Sequence, residues 1–218
     1  MKQDKTILYL HGFSSSPQSK KAVLFRKEFS KVGIDLIIPD LEGENFRNLT
    51  ISNQMNIIRN TINKNPSSEY GLIGSSMGGY LALLTAESQP LVKVMFLMCP
   101  GINFVKRWER RLGFEYPYRK GFPGLIPVFN FRYNKVMDLS SHIFDDAKWW
   151  EQVILGRQII SRLIHGKYDD VVPIEESRRY TENNFRAELV ELESDHGLLS
   201  HANWIVKDAI RFFKLHGF

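Results

Sequence analysis

A doubly wound α/β fold, with a mostly parallel sheet of about six or seven strands, is what this sequence predicts, and three observations carry it. Short apolar runs recur at Thr6–Leu10, Ile34–Pro39, Tyr70–Ile73, Leu91–Met98, Ile159–His165 and Ala187–Leu192. Stretches of helical spacing separate most of these runs, and strands joined through single helices pair in parallel with helices on both faces. The runs are also nearly continuous in their apolarity, as strands covered on both sides should be.

Each element has its own warrant. Thr6–Leu10 is β-rich and ends in His11-Gly12-Phe13, followed by a polar loop. Ser19 is an N-cap for a helix to about Lys31, with Ala22, Phe25 and Phe29 on one face, and Gly33 ends it. Thr50–Asn63 reads as a second helix, with Ile51, Met55, Ile58 and Ile62 aligned and Asn65-Pro66 as its stop. A third helix runs from Met77 to about Ser88. Residues 101–148 break the rhythm with Pro117, Pro123 and Pro127 and glycines 113, 121 and 124, and read as a cap inserted after the strand that ends near Cys99. Regular alternation then resumes. Ala147–Leu155 is expected as a short helix, Pro173–Asn184 as another, and Leu199–Leu215 as the closing one. The whole of 1–218 is read as one domain, because a 48-residue insert makes a meagre core by itself.

Composition narrows the class. Apolar residues make up 43% and charged residues 24%, the balance of an ordinary soluble protein. Met1–Leu10 holds an apolar patch of only four residues, too short for a signal-peptide core, and nothing approaches a membrane span. The single Cys99 excludes an intramolecular disulfide and fits a reducing cytoplasm; its apolar setting reads as a buried structural thiol. The formal charge is +5, and residues 101–150 hold nine Lys or Arg against five Asp or Glu, so most of the excess lies in that segment. No nucleic-acid-binding motif accompanies it.

The chemistry begins at Gly74-Ser75-Ser76-Met77-Gly78-Gly79, a G-x-S-x-G pattern between a strand and a helix. Such a turn is the nucleophile elbow of an α/β-hydrolase, sharp enough to hold the serine proud of the sheet. A serine hydroxyl needs a base, and the base an orienting acid, in the chain order Ser, acid, His. Asp169 and Asp170 follow the strand ending at His165-Gly166, and His196 sits in the turn after the last strand. Both places lie beyond the C-terminal strand ends, where open α/β sheets put their sites.

The chain resembles an α/β-hydrolase throughout, and is similar to the small bacterial esterases of the YqiA type. The resemblance rests on Tyr9-Leu10-His11-Gly12-Phe13 with Ser15-Ser16-Pro17, on Gly74–Gly78, and on His165-Gly166 with Asp169. It implies hydrolysis of an ester or thioester, with no metal and no cofactor. Carried over by position, it implies Ser76 as nucleophile, Asp169 as orienting acid and His196 as general base. The rivals are Asp170, read as a helix-start residue, and His201, read as part of the last helix. Asp195 adjoins His196, and its side chain is expected to diverge from it. His11 precedes the nucleophile and is read as structural, and Asp40 as a turn residue. The backbone N–H groups of Phe13 and Met77 are placed to form the oxyanion hole.

Twelve of the chain's 27 aromatics fall in residues 101–150, so that segment offers either a pocket lining or an anchor onto the sheet. Trp108, Tyr116, Phe122 and Phe129 are the substrate-binding residues expected on the first reading. Arg107, Arg110 and Arg111 read as a solvated helix face or as an attraction for anionic substrates. The partner expected is a small acyl ester or thioester. A peptidase or lysophospholipase would use the same triad, and a non-catalytic binder would need none of it. Ser76 excludes the Asp nucleophile of a dehalogenase and the Cys of a cysteine hydrolase.

Overall fold

The computed structural model describes residues 4–112 and 124–218. Six parallel strands form one sheet: β1 (Lys5–Leu10), β2 (Leu36–Ile37), β3 (Glu69–Ser75), β4 (Val92–Met98), β7 (Ile160–Gly166) and β8 (Ala187–Leu192). They lie in the order β2-β1-β3-β4-β7-β8. The chain runs from β1 outward to β2 and then returns past β1 to β3, so the topological switch falls between β1 and β3. Open α/β sheets have their crevice at such a point.

Helices cover both faces. On one side α1 (Lys20–Ser30) and α7 (Ala202–Leu215) pack through Phe25, Phe29, Ile205 and Phe213 onto Ile7, Tyr9 and Phe96. On the other, α2 (Ile51–Asn63), α3 (Met77–Ser88) and α6 (Ile174–Glu182) cover Leu8, Leu72 and Leu97. Each such side chain, fully buried, contributes about 1.5–3 kcal/mol. Ser19 caps α1 by accepting from the Ala22 amide at 3.4 Å, and Thr50 caps α2 by accepting from Asn53 at 3.0 Å. Helix α3 is buried on every side, which is why its sequence shows no polar stripe.

Four expectations need adjusting. The run at 34–39 gives a ladder of only two residues, because β2 is an edge strand; Ile34 and Ile38 serve the apolar core instead. The helix expected at Ala147–Leu155 is α5 (His142–Trp150), which buries Ile143, Phe144 and Ala147. The closing helix begins at Ala202, after a 3-10 turn at Leu199–His201. The insert after β4 is more regular than its prolines suggest. It contains α4 (Phe104–Leu112) and an antiparallel hairpin of β5 (Leu125–Asn130) and β6 (Lys135–Ser140). Pro127 is tolerated because it points outward in an isolated two-stranded ribbon. Ile126 and Asn130 face inward and are buried. Tyr116 and Phe122 lie outside the described residues.

Candidate active site

The turn after β3 sets the site. Ser76 has φ 54° and ψ −118°, a conformation that costs energy for a residue with a Cβ, and α3 starts at the next residue. The surroundings hold it there: its amide donates to Met98 O at 2.8 Å, and its carbonyl accepts from Gly79 at 2.8 Å and Gly101 at 2.9 Å. A Cβ on Gly78 would stand 2.0 Å from Leu10 O, so only glycine lets the start of α3 pass this close to β1.

The acid and the histidine arrive from neighbouring strands. After β7, Asp169 closes a local turn in which Oδ1 accepts from Val171 N at 2.9 Å and Val172 N at 2.7 Å. After β8, the loop carrying His196 crosses this turn, and Tyr168 N donates to Ser194 O at 3.0 Å. A Cβ on Gly166 would lie 2.4 Å from that same carbonyl, so the glycine of His165-Gly166 permits the crossing. The result is a continuous line of contacts. His196 Nδ1 lies 2.7 Å from Asp169 Oδ2, and its Nε2 lies 2.9 Å from Ser76 Oγ. With Nδ1 facing a carboxylate and Nε2 a hydroxyl, the proton belongs on Nδ1, leaving Nε2 to accept from the serine.

Asp169 is fully enclosed, while the His196 side chain is 22% exposed. Burial by itself would raise the Asp169 carboxyl. The hydrogen bonds of His165 and His196, the charge of His196 and the Val172 amide instead hold it well below the ordinary carboxylate range. It therefore faces His196 as a carboxylate.

The rivals lie elsewhere. Asp170 is exposed, and Asp195 turns away to accept from Leu198 N at 3.1 Å. His201 sits in the 3-10 turn against Ser200 Oγ at 2.9 Å. His11 is buried and accepts from Leu41 N at 3.0 Å through Nε2, and burial pulls its pKa down. Asp40 accepts from the amides of Glu42 and Gly43 and pairs with Arg132 at 2.7 Å.

Met77 directly follows Ser76, and Gly12, the residue before Phe13, stands beside the serine: a Cβ on it would lie 3.5 Å from the Ser76 Cβ. Neither the Phe13 amide nor that of Met77 donates a hydrogen bond to the described residues. The Phe13 ring meets Trp108 edge-on at 5.9 Å and also touches Phe46 and Phe104. Trp108 thus stands beside the site, whereas Phe129 lies on the outer face of the hairpin against Phe131, 43% exposed.

One residue has a role that its sequence pattern hid. Arg107, on α4, is half-buried and spends its guanidinium on backbone carbonyls. Its guanidinium donates to Gly101 O at 2.8 Å, Ile102 O at 3.0 Å and Val171 O at 3.3 Å. It fastens the loop after β4, which supports Ser76, to the loop that carries Asp169. The signal available was weak: an arginine within six residues of the proline-glycine that ends β4.

Among the described residues, Cys99, His165 and Asp169 have donor atoms within 4.8 Å of one another, close enough for a metal. The His165 nitrogens are already engaged with Ser177 and Val172, and the Asp169 carboxylate with His196. A metal there would take the acid away from His196.

The sequence matches the family described as Uncharacterised protein family (UPF0227) over residues 6–214. The chain belongs to that family. Its fold is shared with solved structures of low sequence identity. Est1E from Butyrivibrio proteoclasticus, with ferulic acid bound, superposes with a TM-score of 0.81 at 16% identity, covering 98% of this chain and 89% of that one. Alpha/beta hydrolase domain-containing protein 10 from mouse gives 0.79 at 18% identity, covering 100% and 93%. A structure reported under the metagenome-derived lipolytic enzymes LipS and LipT gives 0.78 at 18%, covering 98% and 95%. The architecture is that of an α/β-hydrolase. No helix among the described residues is long and apolar enough to cross a membrane.

Proposed function

We propose that the chain is a serine hydrolase that cleaves small carboxylic esters or acyl thioesters through an acyl-enzyme on Ser76. The observation that carries this reading is the unbroken line Ser76 Oγ, His196, Asp169, with spacings of 2.9 and 2.7 Å. His196 Nε2 takes the proton as Ser76 Oγ attacks the acyl carbonyl, and Asp169 stabilises the imidazolium. The amides of Phe13 and Met77 receive the oxyanion. The tetrahedral intermediate collapses, the bond to the leaving alcohol or thiol breaks, and His196 returns the proton to it. Water, deprotonated by His196, then attacks the acyl-enzyme; the acid leaves and Ser76 regains its proton. Every step uses groups of this chain and water.

In this proposal residues 101–148 act as a cap on a single α/β domain and set the acyl preference. Trp108, held against Phe13 and over which Arg111 stacks at 5.5 Å, gives that cap an aromatic wall. The bound ferulic acid of the Est1E structure makes aryl acyl esters a sensible first group to assay. The buried, unpaired Cys99 suits a reducing cytoplasm.

Fluorophosphonate labelling with site mapping is the test, followed by a panel of esters and thioesters of graded acyl length. The label is expected on Ser76, and Ser76→Ala is expected to abolish both label and turnover. An unlabelled Ser76 would favour a non-catalytic binder, and turnover retained by Ser76→Ala would refute the mechanism.

A further inference from the structure

The catalytic acid proposed above is surrounded more fully than its task of holding one imidazole requires. Both lone-pair regions of Asp169 Oδ1 are used by the amides of Val171 and Val172. Oδ2, which faces His196 Nδ1 at 2.7 Å, has a second imidazole on it: His165 Nε2 lies 3.2 Å away. The side chain of His165 is 0% exposed. Its Nε2 also faces Val172 O at 2.9 Å, so it stands before two acceptors and carries the proton. Nδ1 is then the acceptor, and Ser177 Oγ on α6 donates to it at 2.7 Å. The tautomer of a fully buried histidine is thus fixed from both ends.

We infer that His165, oriented by Ser177, is a positioning residue that shares the Oδ2 atom of Asp169 with His196 and thereby limits how strongly that carboxylate stabilises the His196 imidazolium. The inference rests on the triad reading given above. Its physical basis is competition for one oxygen. A carboxylate oxygen that accepts from two donors has less negative potential to offer either, so His196 is protonated less readily than it would be beside an unshared Asp169. A base that loses its proton more readily stays active further into the acid range. Because Oδ1 is pinned by two amides, removing His165 changes the charge on Oδ2 more than it moves the carboxylate.

Other groups bear on the same carboxylate and have to remain in place. The Cys99 thiol lies against it from the end of β4, and burial pushes that thiol up, so it stays a neutral neighbour. Lys21 approaches from α1, with Asp195 also near it, and Arg107 approaches from α4. Glu191, on β8, lies close enough to feel His165. None of these is altered by a substitution at 165, so the comparison isolates the shared oxygen.

The experiment compares wild type with His165→Leu, His165→Gln and Ser177→Ala. Two quantities are read: the acid limb of kcat/KM for p-nitrophenyl acetate, and the His196 pKa from 15N imidazole NMR. In His165→Leu both should move to higher pH by roughly half a unit or more, with KM changed less than about twofold and kcat reduced. Glutamine puts an N–H near the position of Nε2, so His165→Gln should restore the limb. Ser177→Ala should shift it upward by less. If His165→Leu fails to fold, the difference between His165→Gln and Ser177→Ala still decides the matter. Limbs and His196 values that stay put, or fall, while fluorophosphonate labels Ser76 fully would overturn the inference. Failure of the triad reading would look different: turnover would survive Ser76→Ala, while the NMR titration of His196 in that variant would still report whether His165 acts on it.

Discussion

The parallel sheet and the insert that follows β4 are held together by opposite means. In the sheet, register does the placing. Ser76 is the first residue after β3, Asp169 the third after β7 and His196 the fourth after β8, and these ends are level because the strands pair in parallel. Among the described residues, the insert has no such ladder to the sheet. Asn130 donates to both oxygens of Glu42, 88 residues away, and Arg132 pairs with Asp40, 92 residues away. Ser52 N donates to Asp146 at 2.9 Å across 94 residues, and Trp150 Nε1 donates to Ser52 Oγ. Chemistry sits on a repeating frame, and the element proposed to choose the substrate is pinned to that frame by separate polar contacts.

The sharpest way to break this contrast is at the acid. Asp169→Asn keeps the turn at Val171 and Val172 but removes the charge that faces His196 and favours the wrong tautomer. A loss of kcat of about 10²–10⁴ is expected, measured on the best substrate of the panel. The stability side has its own pH signature. The carboxyl of Asp169 is held below its unfolded value, so its contribution is present above that ordinary range and is lost as pH falls through the lower folded value. Wild type should therefore lose its stability advantage over Asp169→Asn on acidification below about pH 4. A variant of undiminished kcat would detach Asp169 from the mechanism.

The same contrast explains what could be read from the sequence. Gly74-x-Ser76-x-Gly78, His165-Gly166 with Asp169, and the histidine after the last strand are local patterns, each created by a turn that must fit beside a strand end. They are therefore visible in five or six residues. Strand and helix identities followed from periodicity for the same reason. Arg107 was not legible, because its role depends on three carbonyls brought together by tertiary structure, and a basic helix face looks the same whether solvated or buried. Nor was the hairpin at 125–140, whose alternation is interrupted by Pro127 and whose inward Asn130 reads as a loop residue. Asn130 is buried for the sake of Glu42, and nothing near either residue in sequence says so.

Arg107 gives the next effect in size, because it belongs to both regions. Arg107→Ala should lower kcat/KM by roughly tenfold, since it frees the Gly101 and Val171 carbonyls and loosens the loops behind Ser76 and Asp169. It should also reduce stability by about 1–3 kcal/mol. Lysine cannot address three carbonyls with one ammonium in this geometry, so Arg107→Lys is expected to recover little. If Arg107→Lys matched wild type, or if the loss appeared only with anionic substrates and lessened with salt, the residue would be an anion attractor after all.

The smallest effect tests whether the insert is pinned independently of the chemistry. Glu42 is 6% exposed, and burial raises its carboxyl, against the opposing hydrogen bond from Asn130 and charge of Arg132. A folded value above the unfolded one means that the protonated form is favoured by folding. Its contribution is fully present below the unfolded value and is lost as pH rises through the folded one. Glutamine keeps one acceptor for Asn130 without the charge. Glu42→Gln should therefore match wild type near pH 4 and gain on it as pH rises to 8, by less than about 1 kcal/mol, in thermal melts across that range. The kcat for a short acyl ester should not change, because Glu42 touches the hairpin and not the triad. A gap that narrows with rising pH would mean that Arg132 and Asn130 outweigh burial, and that the insert is fastened by charge instead of shape.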